Sequence, residues 1–375
     1  MILRSEDLKD VASKILFAVD NNALSEITET LELITKDTFL YLSVTNREYF
    51  VKVKIDLGET VNFHATVNAN LFLKLISQIT TDTVEITTND NVLYVKGNGD
   101  YKLPLIFDNN ELLELPTIEI NNVTASFMLD SDILHSILQY NSKEFNKGTI
   151  SKQVQKLYYV DELGAITFTS GACVNSFILP QPIKMLLNAK IVKLFKLFKD
   201  TQIKFSIGYD ALSEDVIQTK VRFESDDIVL TAILSCDDSM LNSVPVAAIR
   251  NRANNLYQYS ININKENLLQ AINRLLLFNS EYKAQNNLKP YSVFEFNKDF
   301  VTIYDINKEN KETLYYTNSI LNIDNFYTAV LDLSDLKITL ENCNEQYLVL
   351  NFGDTQSLTI ARGNIINIIP ECKLS

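Results

Sequence analysis

The sequence has few of the residues on which most cofactor sites, metal sites and disulfide frameworks depend. Its 375 residues include no Trp, 9 Gly, 2 His and 4 Cys. So little glycine leaves few places for phosphate-cradling loops, and no nucleotide-binding, zinc-protease or nucleophile-elbow motif occurs. The four Cys stand far apart, which argues against a zinc site and against a disulfide framework. The sequence therefore predicts neither a cofactor nor a metal.

Catalytic side chains are equally scarce. Nucleophilic catalysis most often uses a His base, but neither His64 nor His135 stands in a known catalytic motif. We expect both to be structural or surface residues. Paired carboxylates such as Asp226-Asp227 and Asp237-Asp238 would point to opposite faces of a strand, so they indicate turns or solvated edges.

Metal-binding loops are no better represented. Asp305, Asn307 and Glu309 only loosely resemble a calcium loop, because the glycine and the terminal glutamate spacing are missing. The sequence thus predicts no catalytic residue. An acidic α+β hydrolase with a carboxylate pair remains the enzymatic alternative.

Positive charge is also short overall and unevenly distributed. The net charge is −13, from 34 basic and 47 acidic residues; it is −9 over residues 1–122, 0 over 123–252 and −4 over 253–375. Such a chain repels polyanions at long range and does not hold DNA by charge density alone. No run approaches the ~18 apolar residues of a membrane span, and no leader pattern is present. We expect a cytoplasmic protein without membrane contact.

Hydrophobic periodicity predicts an α+β protein. Apolar residues at helical spacing predict helices over 5–19, 68–79, 130–140, 184–199, 265–279 and 333–340. Alternation and turn residues predict hairpin strands between them, among them 156–160, 165–169, 228–234 and 347–352.

The same order of elements recurs along the chain. Helices start near residues 5, 130 and 265, and the following hairpins near 30, 156 and 293, so the offsets cluster around 125–137 residues. This indicates three copies of one domain, each with two helices packed on antiparallel sheets. The predicted domains are 1–121, 122–252 and 253–375. The alternative is the ordinary alternation of helices and hairpins in any α+β fold.

One basic feature contrasts with the acidic background. Lysines recur every three residues between apolar ones at Lys190, Lys193, Lys196 and Lys199. Such a row suits phosphate contacts that do not read bases, although a solvated helix face explains it equally well. Further cations on polar helix faces are Lys9, Lys14, Lys74, Arg274 and Lys337. We expect these nine residues to face DNA.

The whole pattern resembles the bacterial DNA polymerase III β subunit family, the sliding clamps. The resemblance covers the chain in element order and length. Local likeness lies in residues 265–281, in the apolar–apolar–Pro ending Ile368-Ile369-Pro370, and in Tyr101-Lys102-Leu103.

Two family signatures are degraded. Thr169-Ser170-Gly171-Ala172-Cys173-Val174 stands where the family has Thr-Asp-Gly-His-Arg-Leu. Residues 237–243 replace Asp-Gly-Arg-Phe-Pro-Asp-Tyr. Both border the family's pocket for partner peptides, so the ring would be kept while partner specificity has diverged, as in a phage-encoded clamp.

The resemblance implies a non-catalytic processivity factor. Two copies would close a ring around double-stranded DNA, and the ring would tether a DNA polymerase and be opened by a clamp loader. The implied homodimer interface comprises Tyr101, Leu103, Leu277 and Phe278, and the implied peptide groove comprises Thr169, Gly171, Val174, Leu241, Val246 and Ile369. Ordinary core positions are the alternative for the interface residues and for Val246 and Ile369. A clamp-like ring serving another DNA transaction is the alternative function.

Overall fold

A computed structural model describes residues 1–19, 25–141, 157–168, 171–199, 201–213, 216–234, 238–286, 290–320, 326–353 and 356–372. The helices are α1 Ser5–Leu16, α2 Ala69–Gln78, α3 Ser131–Asn141, α4 Ala189–Lys193, α5 Asp238–Asn242, α6 Val246–Ala253, α7 Lys265–Asn286 and α8 Leu333–Glu341. Short 3₁₀ turns cover Glu26–Glu29 and Leu194–Leu197.

The strands of the first part of the chain are β1 Ile2–Arg4, β2 Thr30–Lys36, β3 Phe39–Thr45, β4 Tyr49–Asp56, β5 His64–Asn68, β6 Thr83–Asn89, β7 Val92–Lys96, β8 Asp100–Pro104, β9 Phe107–Asp108 and β10 Glu111–Leu112. The middle part contains β11 Val123–Asp130, β12 Leu157–Asp161, β13 Gly164–Phe168, β14 Ala172–Ser176, β15 Lys184–Asn188, β16 Gln202–Ser213, β17 Val216–Glu224 and β18 Ile228–Leu234. The last part contains β19 Tyr259–Asn264, β20 Tyr291–Phe296, β21 Phe300–Asp305, β22 Lys311–Tyr315, β23 Thr317–Ile320, β24 Tyr327–Asp332, β25 Tyr347–Phe352, β26 Ser357–Arg362 and β27 Ile365–Pro370.

The element order repeats three times. Each repeat runs strand, helix, three strands, strand, helix, three strands: β1 to β8, β11 to β18, and β19 to β27 with β23 as an addition. In each repeat the first strand pairs with the first of the last three, as in the order β1-β6-β7-β8. The predicted α+β fold with a repeated two-helix domain is confirmed.

Large sheets arise because strands of neighbouring repeats pair. β4 pairs with β18 in the eight-stranded sheet β11-β16-β17-β18-β4-β3-β2-β5. β14 pairs with β27 in the nine-stranded sheet β15-β12-β13-β14-β27-β26-β25-β19-β23. Two four-stranded sheets have the orders β1-β6-β7-β8 and β22-β21-β20-β24.

Contacts divide the chain into two compact units rather than three. Unit 1 comprises residues 1–134 and 190–236, and unit 2 comprises 135–189 and 237–375. The second repeat contributes to both, because each of its sheets is continuous with a sheet of a neighbouring repeat. The predicted boundaries at 121 and 252 follow the repeat and stay a prediction.

Each unit has its own apolar core. In unit 1 Phe205 and Phe223 are fully buried with ring centroids 5.2 Å apart. In unit 2 Phe296 and Phe352 stack with centroids 4.1 Å apart. Each such ring contributes about 1.5–3 kcal/mol by leaving water, so these clusters stabilise the sheets on which the helices lie.

The helix predicted over 184–199 is wrong in its first part. Residues Lys184–Asn188 form β15, which pairs with β12. The run Met185-Leu186-Leu187 is buried throughout, and a short continuous apolar run does not distinguish a buried strand from a helix. The residues at the predicted boundary after 252 include α6, Val246–Ala253, which the sequence pattern did not predict.

Candidate functional site

The predicted lysine row lies at the end of α4 and in the 3₁₀ turn that follows it. Ile191, Leu194 and Phe195 are buried, whereas Lys190, Lys193, Lys196 and Lys199 are exposed. Lys190 and Lys193 belong to α4, Lys196 lies in the 3₁₀ turn, and Lys199 follows that turn. The row therefore spans three kinds of backbone conformation, and what its four lysines share is exposure.

The charges along this row differ in what holds them. The Lys190 ammonium lies 3.8 Å from the Glu48 carboxylate, with both side chains about half exposed. Such a surface pair contributes little to the stability of the fold. Within the part of the chain that the structure describes, Lys193, Lys196 and Lys199 have no ion pair, so their charges are available to a ligand.

The other unit 1 cations divide in the same way. Lys9 and Lys74 have no ion pair among the described residues. Lys14 donates to Asp10 and to Asp227, each at 2.9 Å. Burial alone would lower the pKa of Lys14, but these two hydrogen bonds and the two negative charges outweigh it and raise that pKa above its ordinary value. Lys14 is therefore charged but already neutralised.

Both predicted cations of unit 2 are held by carboxylates. Arg274 makes a two-point contact with Glu312, at 2.7 Å from Nε and 2.9 Å from Nη2. The hydrogen bond from Arg274 lowers the pKa of Glu312 below its ordinary value. Lys337 lies 3.8 Å from Glu341, one helical turn along α8. Charge on a helix face is thus present in both units but is less available in unit 2.

The predicted interface residues lie at or near two sheet edges. Tyr101 and Leu103 are on β8, the last strand of its sheet; Tyr101 is 36% exposed and Leu103 2% exposed. Leu277 and Phe278 on α7 are 67% and 52% exposed. Three of the four are thus accessible, while Leu103 is a core residue.

The edges themselves have a defined place in the repeat. Each repeat has two four-stranded groups, one formed by its first strand and last three strands, the other by the four strands between. β4 and β14 are edge strands of the second kind of group, and they pair with β18 and β27, which are edge strands of the first kind. The strand of the third repeat that corresponds to β4 is β22, and the strand of the first repeat that corresponds to β18 is β8. Among the described residues, β8 and β22 have no strand on their outer side. Within the described chain, β8 and β22 are therefore one strand of each type that pairs between repeats, and neither has such a partner.

The predicted groove residues lie in unit 2, apart from Thr169, which is outside the described residues. Val174 on β14 and Ile369 on β27 are buried strand residues. Leu241 on α5 and Val246 on α6 are half-buried. A Cβ at Gly171 would lie 1.9 Å from the Ile368 carbonyl oxygen, so the close approach of these backbones requires glycine. Their role in a groove stays a prediction.

An ion pair in unit 2 was not foreseen from the sequence. Arg250 of α6 donates to both oxygens of Asp161, at 2.8 and 2.5 Å, although the residues are 89 positions apart. Burial, together with the negative charge of Asp161, raises the pKa of Tyr159 to about 12. In unit 1 Lys220 and Asp210 form a comparable pair at 2.5 Å, and Asp210 also accepts from the Asn121 backbone N–H. Each pair fixes a segment that joins two repeats.

The polar residues considered for metal or catalysis have structural contacts. The Asp305 carboxylate accepts from the backbone N–H groups of Glu309 and Asn310, so it closes a turn. His64 lies 3.2 Å from Glu32 on the neighbouring strand. Over the described ranges no cluster of three or more potential metal ligands occurs, and no helix is long and apolar enough to cross a membrane.

Comparison with known proteins gives a consistent relationship. No family model matches the chain. A beta sliding clamp of Mycoplasmopsis pulmonis is 24% identical over 211 residues, which are 51% of this chain and 54% of the relative. A beta sliding clamp of Helicobacter pylori is 25% identical over 209 residues, 50% and 54% of the two chains. The chain thus spans about half the length of the curated relatives it matches.

The structural likeness extends further than the sequence likeness. The DNA polymerase III beta subunit of Thermotoga maritima superimposes with a TM-score of 0.78 at 12% identity, over 100% of this chain and 99% of that one. At this identity the likeness establishes the fold. The chain therefore has, over its whole length, the fold of the bacterial DNA polymerase III beta subunits known as beta sliding clamps.

Proposed function

We propose that this protein is a DNA sliding clamp, a non-catalytic processivity factor whose two copies encircle duplex DNA. The observation that carries the proposal is the pair of open edges, β8 and β22, in a chain that already joins its repeats twice through strands of the same two types. The likeness of the chain to proteins known as beta sliding clamps supports the same function.

Ring closure would follow from these edges. An exposed strand edge presents unpaired backbone donors and acceptors and is readily extended by another strand. If β8 of one copy paired with β22 of a second, and the reverse, the two contacts would be equivalent and would close a symmetric homodimer. Tyr101, Leu277 and Phe278 would then be covered, which accounts for large apolar side chains at the surface.

DNA contact would be made chiefly by Lys193, Lys196 and Lys199, with Lys9 and Lys74. A lysine is a point charge that touches phosphates without reading bases, as sequence-independent sliding requires. A ring holds DNA by topology, so it needs only a few such contacts, and the net charge of −13 is no obstacle.

Partner binding would use an apolar groove in unit 2. Half-buried Leu241 and Val246, near the β14–β27 junction that Gly171 permits, would receive a short apolar peptide of a DNA polymerase or of a clamp loader. The protein would act where the chromosome or phage DNA is copied, in the cytoplasm.

Two measurements test the proposal. Light scattering after size-exclusion chromatography should give a dimer at micromolar concentration, and the protein should stay on nicked circular DNA but slide off once that DNA is linearised. A monomer, or equal retention on both DNAs, would contradict the clamp.

The degraded segments at 169–174 and 237–243 favour one alternative, a ring for a different DNA transaction. Such a ring would be retained on circles yet would leave the processivity of its replicative polymerase unchanged in a primer-extension assay.

A further inference from the structure

A small depression in unit 1 combines unpaired positive charge with an exposed aromatic ring. It has a volume of about 170 Å³ and is lined by residues of α1, by the end of the lysine row and by the β17–β18 turn. Lys196 and Lys199 line it without an ion pair within the described chain, and Phe17, 60% exposed, lines it as well.

Two acidic side chains, Asp10 and Asp227, also line the depression, and both contact Lys14. Among the described lining residues the three lysines exceed the two carboxylates by one positive charge. Because Lys14 is held by two carboxylates, an incoming anion would be met by Lys196 and Lys199. The depression therefore attracts a single phosphate locally even though the whole chain repels polyanions.

The hydroxyl groups of the depression point to a second kind of contact. Ser13, Thr201 and Ser225 each donate to a protein oxygen, at 2.7, 3.3 and 3.1 Å respectively. Their oxygens therefore keep lone pairs that can accept from the N–H groups of a nucleobase. The site thus offers donors for phosphate, acceptors for a base edge and an apolar ring face.

The geometry points to a binding site for one unpaired nucleotide of DNA, with its phosphates on Lys196 and Lys199 and its base against Phe17. In a duplex the bases stack on one another and present only phosphates and groove edges, so a ring such as Phe17 would have nothing to stack on. Exposed aromatic side chains beside lysines are how proteins bind single strands without reading sequence. The volume is below the roughly 300–1,000 Å³ of pockets that enclose larger ligands, and it suits one base.

This inference rests on the proposed function only for the identity of the ligand as DNA. It adds that the clamp distinguishes single-stranded from double-stranded DNA, which a ring with lysines alone would not do. A clamp of this kind would pause where single strand meets duplex.

The test compares a fluorescent oligothymidylate with a duplex of equal phosphate number, by anisotropy with the full-length protein at low salt. Phe17→Ala and Phe17→Leu should each weaken binding of the oligothymidylate about fivefold to tenfold and change duplex binding less than twofold. Leu71→Ala, which removes an exposed apolar side chain from α2, is the matched control and should change neither. Since Phe17 is mostly exposed, both variants should fold normally, and Phe17→Leu keeps the apolar bulk.

The lysines are tested with the double variant Lys196→Ala, Lys199→Ala. It should weaken binding of both DNAs and lower the salt slope for the single strand by about 1.4, the value for two phosphate contacts. The control double variant Lys96→Ala, Lys204→Ala removes two exposed lysines elsewhere in unit 1. Equal loss from the two double variants, or equal loss of both DNAs from Phe17→Ala, would overturn the assignment.

Retention on nicked circles, measured on the same protein, separates this inference from the proposed function. Retention with no measurable effect of Phe17 substitution would refute the nucleotide site and keep the clamp. Phe17-dependent oligothymidylate binding without retention would refute the clamp and keep the site.

Discussion

Unit 1 and unit 2 have similar sheets, yet the cations predicted to face DNA differ in how many of them are paired with a carboxylate. Each unit has one large antiparallel sheet and one four-stranded sheet, and in each a buried ion pair fixes a segment between repeats. Among the described residues, however, unit 1 has five helix or turn lysines without an ion pair, whereas Arg274 and Lys337 of unit 2 both contact a glutamate. Cations on helices of the same fold can therefore be either available to a ligand or already paired with a carboxylate.

Part of this difference depends on neighbours from distant parts of the sequence, although Lys337 pairs with Glu341 on its own helix. Glu312 lies on β22 and holds Arg274 of α7, 38 positions away. No described carboxylate lies close enough to pair with Lys193, Lys196 or Lys199. We therefore expect DNA contact to depend on unit 1 more than on unit 2.

The largest expected effect comes from reversing charge in unit 1. Lys193→Glu, Lys196→Glu, Lys199→Glu together should lower duplex affinity at least about 100-fold at low salt and reduce the salt slope by about 2.7, because three phosphate contacts are lost. Arg274→Glu, Lys337→Glu in unit 2 is the control and should have a much smaller effect. Equal losses measured by anisotropy would remove the distinction between the units.

The next effect concerns stability in unit 2. Asp161→Ala removes the carboxylate that contacts the Arg250 guanidinium at two points. The Arg250 side chain is 18% exposed and the Asp161 side chain 5% exposed. We expect a loss of about 1–3 kcal/mol in the free energy of unfolding, because a part-buried guanidinium loses two charge-assisted hydrogen bonds. Denaturant titration measures it, and the double variant Asp161→Ala, Arg250→Met should recover part of the loss.

A smaller effect would make unit 2 more like unit 1. Glu312→Gln removes the negative charge opposite Arg274 and makes the guanidinium available to phosphate. Duplex affinity should rise about twofold to fivefold and the salt slope should increase by up to about 0.9, the value for one more contact. Glu309→Gln, on the neighbouring turn, serves as the control. An unchanged affinity would mean that Arg274 does not face DNA.

The smallest expected effect is a pH dependence shared by both units. Hydrogen bonds from Lys220 and from Arg274 hold the pKa values of Asp210 and Glu312 below their ordinary values of 3.8 and 4.5. The folded protein then binds fewer protons than the unfolded chain, so this stabilisation is complete above the ordinary pKa and is lost as pH falls through the lowered one. In thermal unfolding, the stability of Asp210→Asn should fall less between pH 5 and 2 than that of the wild type. At pH 5 the variant should be the less stable of the two.

Several elements followed directly from local pattern. The strands over 228–234 and 347–352 coincide with the predicted ones, and α2 begins after Asn68, whose side chain caps the Leu71 N–H as a helix start requires. The first strands β1, β11 and β19 were missed. β1 has only three residues, too few to show a period, whereas the alternation of Ile261 and Ile263 with asparagines in β19 is a strand signal that could have been found. α4 was predicted too long, since a strand buried on both faces has the same apolar run as a helix.

The sequence by itself determined the repeat, the placement of apolar faces and the position of the lysine row, because these depend on spacing along a few turns of chain. Only the tertiary structure decided which charges are available and which edges are open. Asp10 stands one helical turn before Lys14 and is visible in the sequence, but only the fold brings Asp227 to Lys14 and, within the described chain, no carboxylate to Lys196. In the sequence β8 and β22 cannot be told from other strands. The pairings β4–β18 and β14–β27 show that strands at the corresponding positions pair between repeats. The ion pairs Lys14–Asp227 and Arg274–Glu312 and the strand pairings between repeats join residues far apart in sequence, which is why local pattern does not contain them.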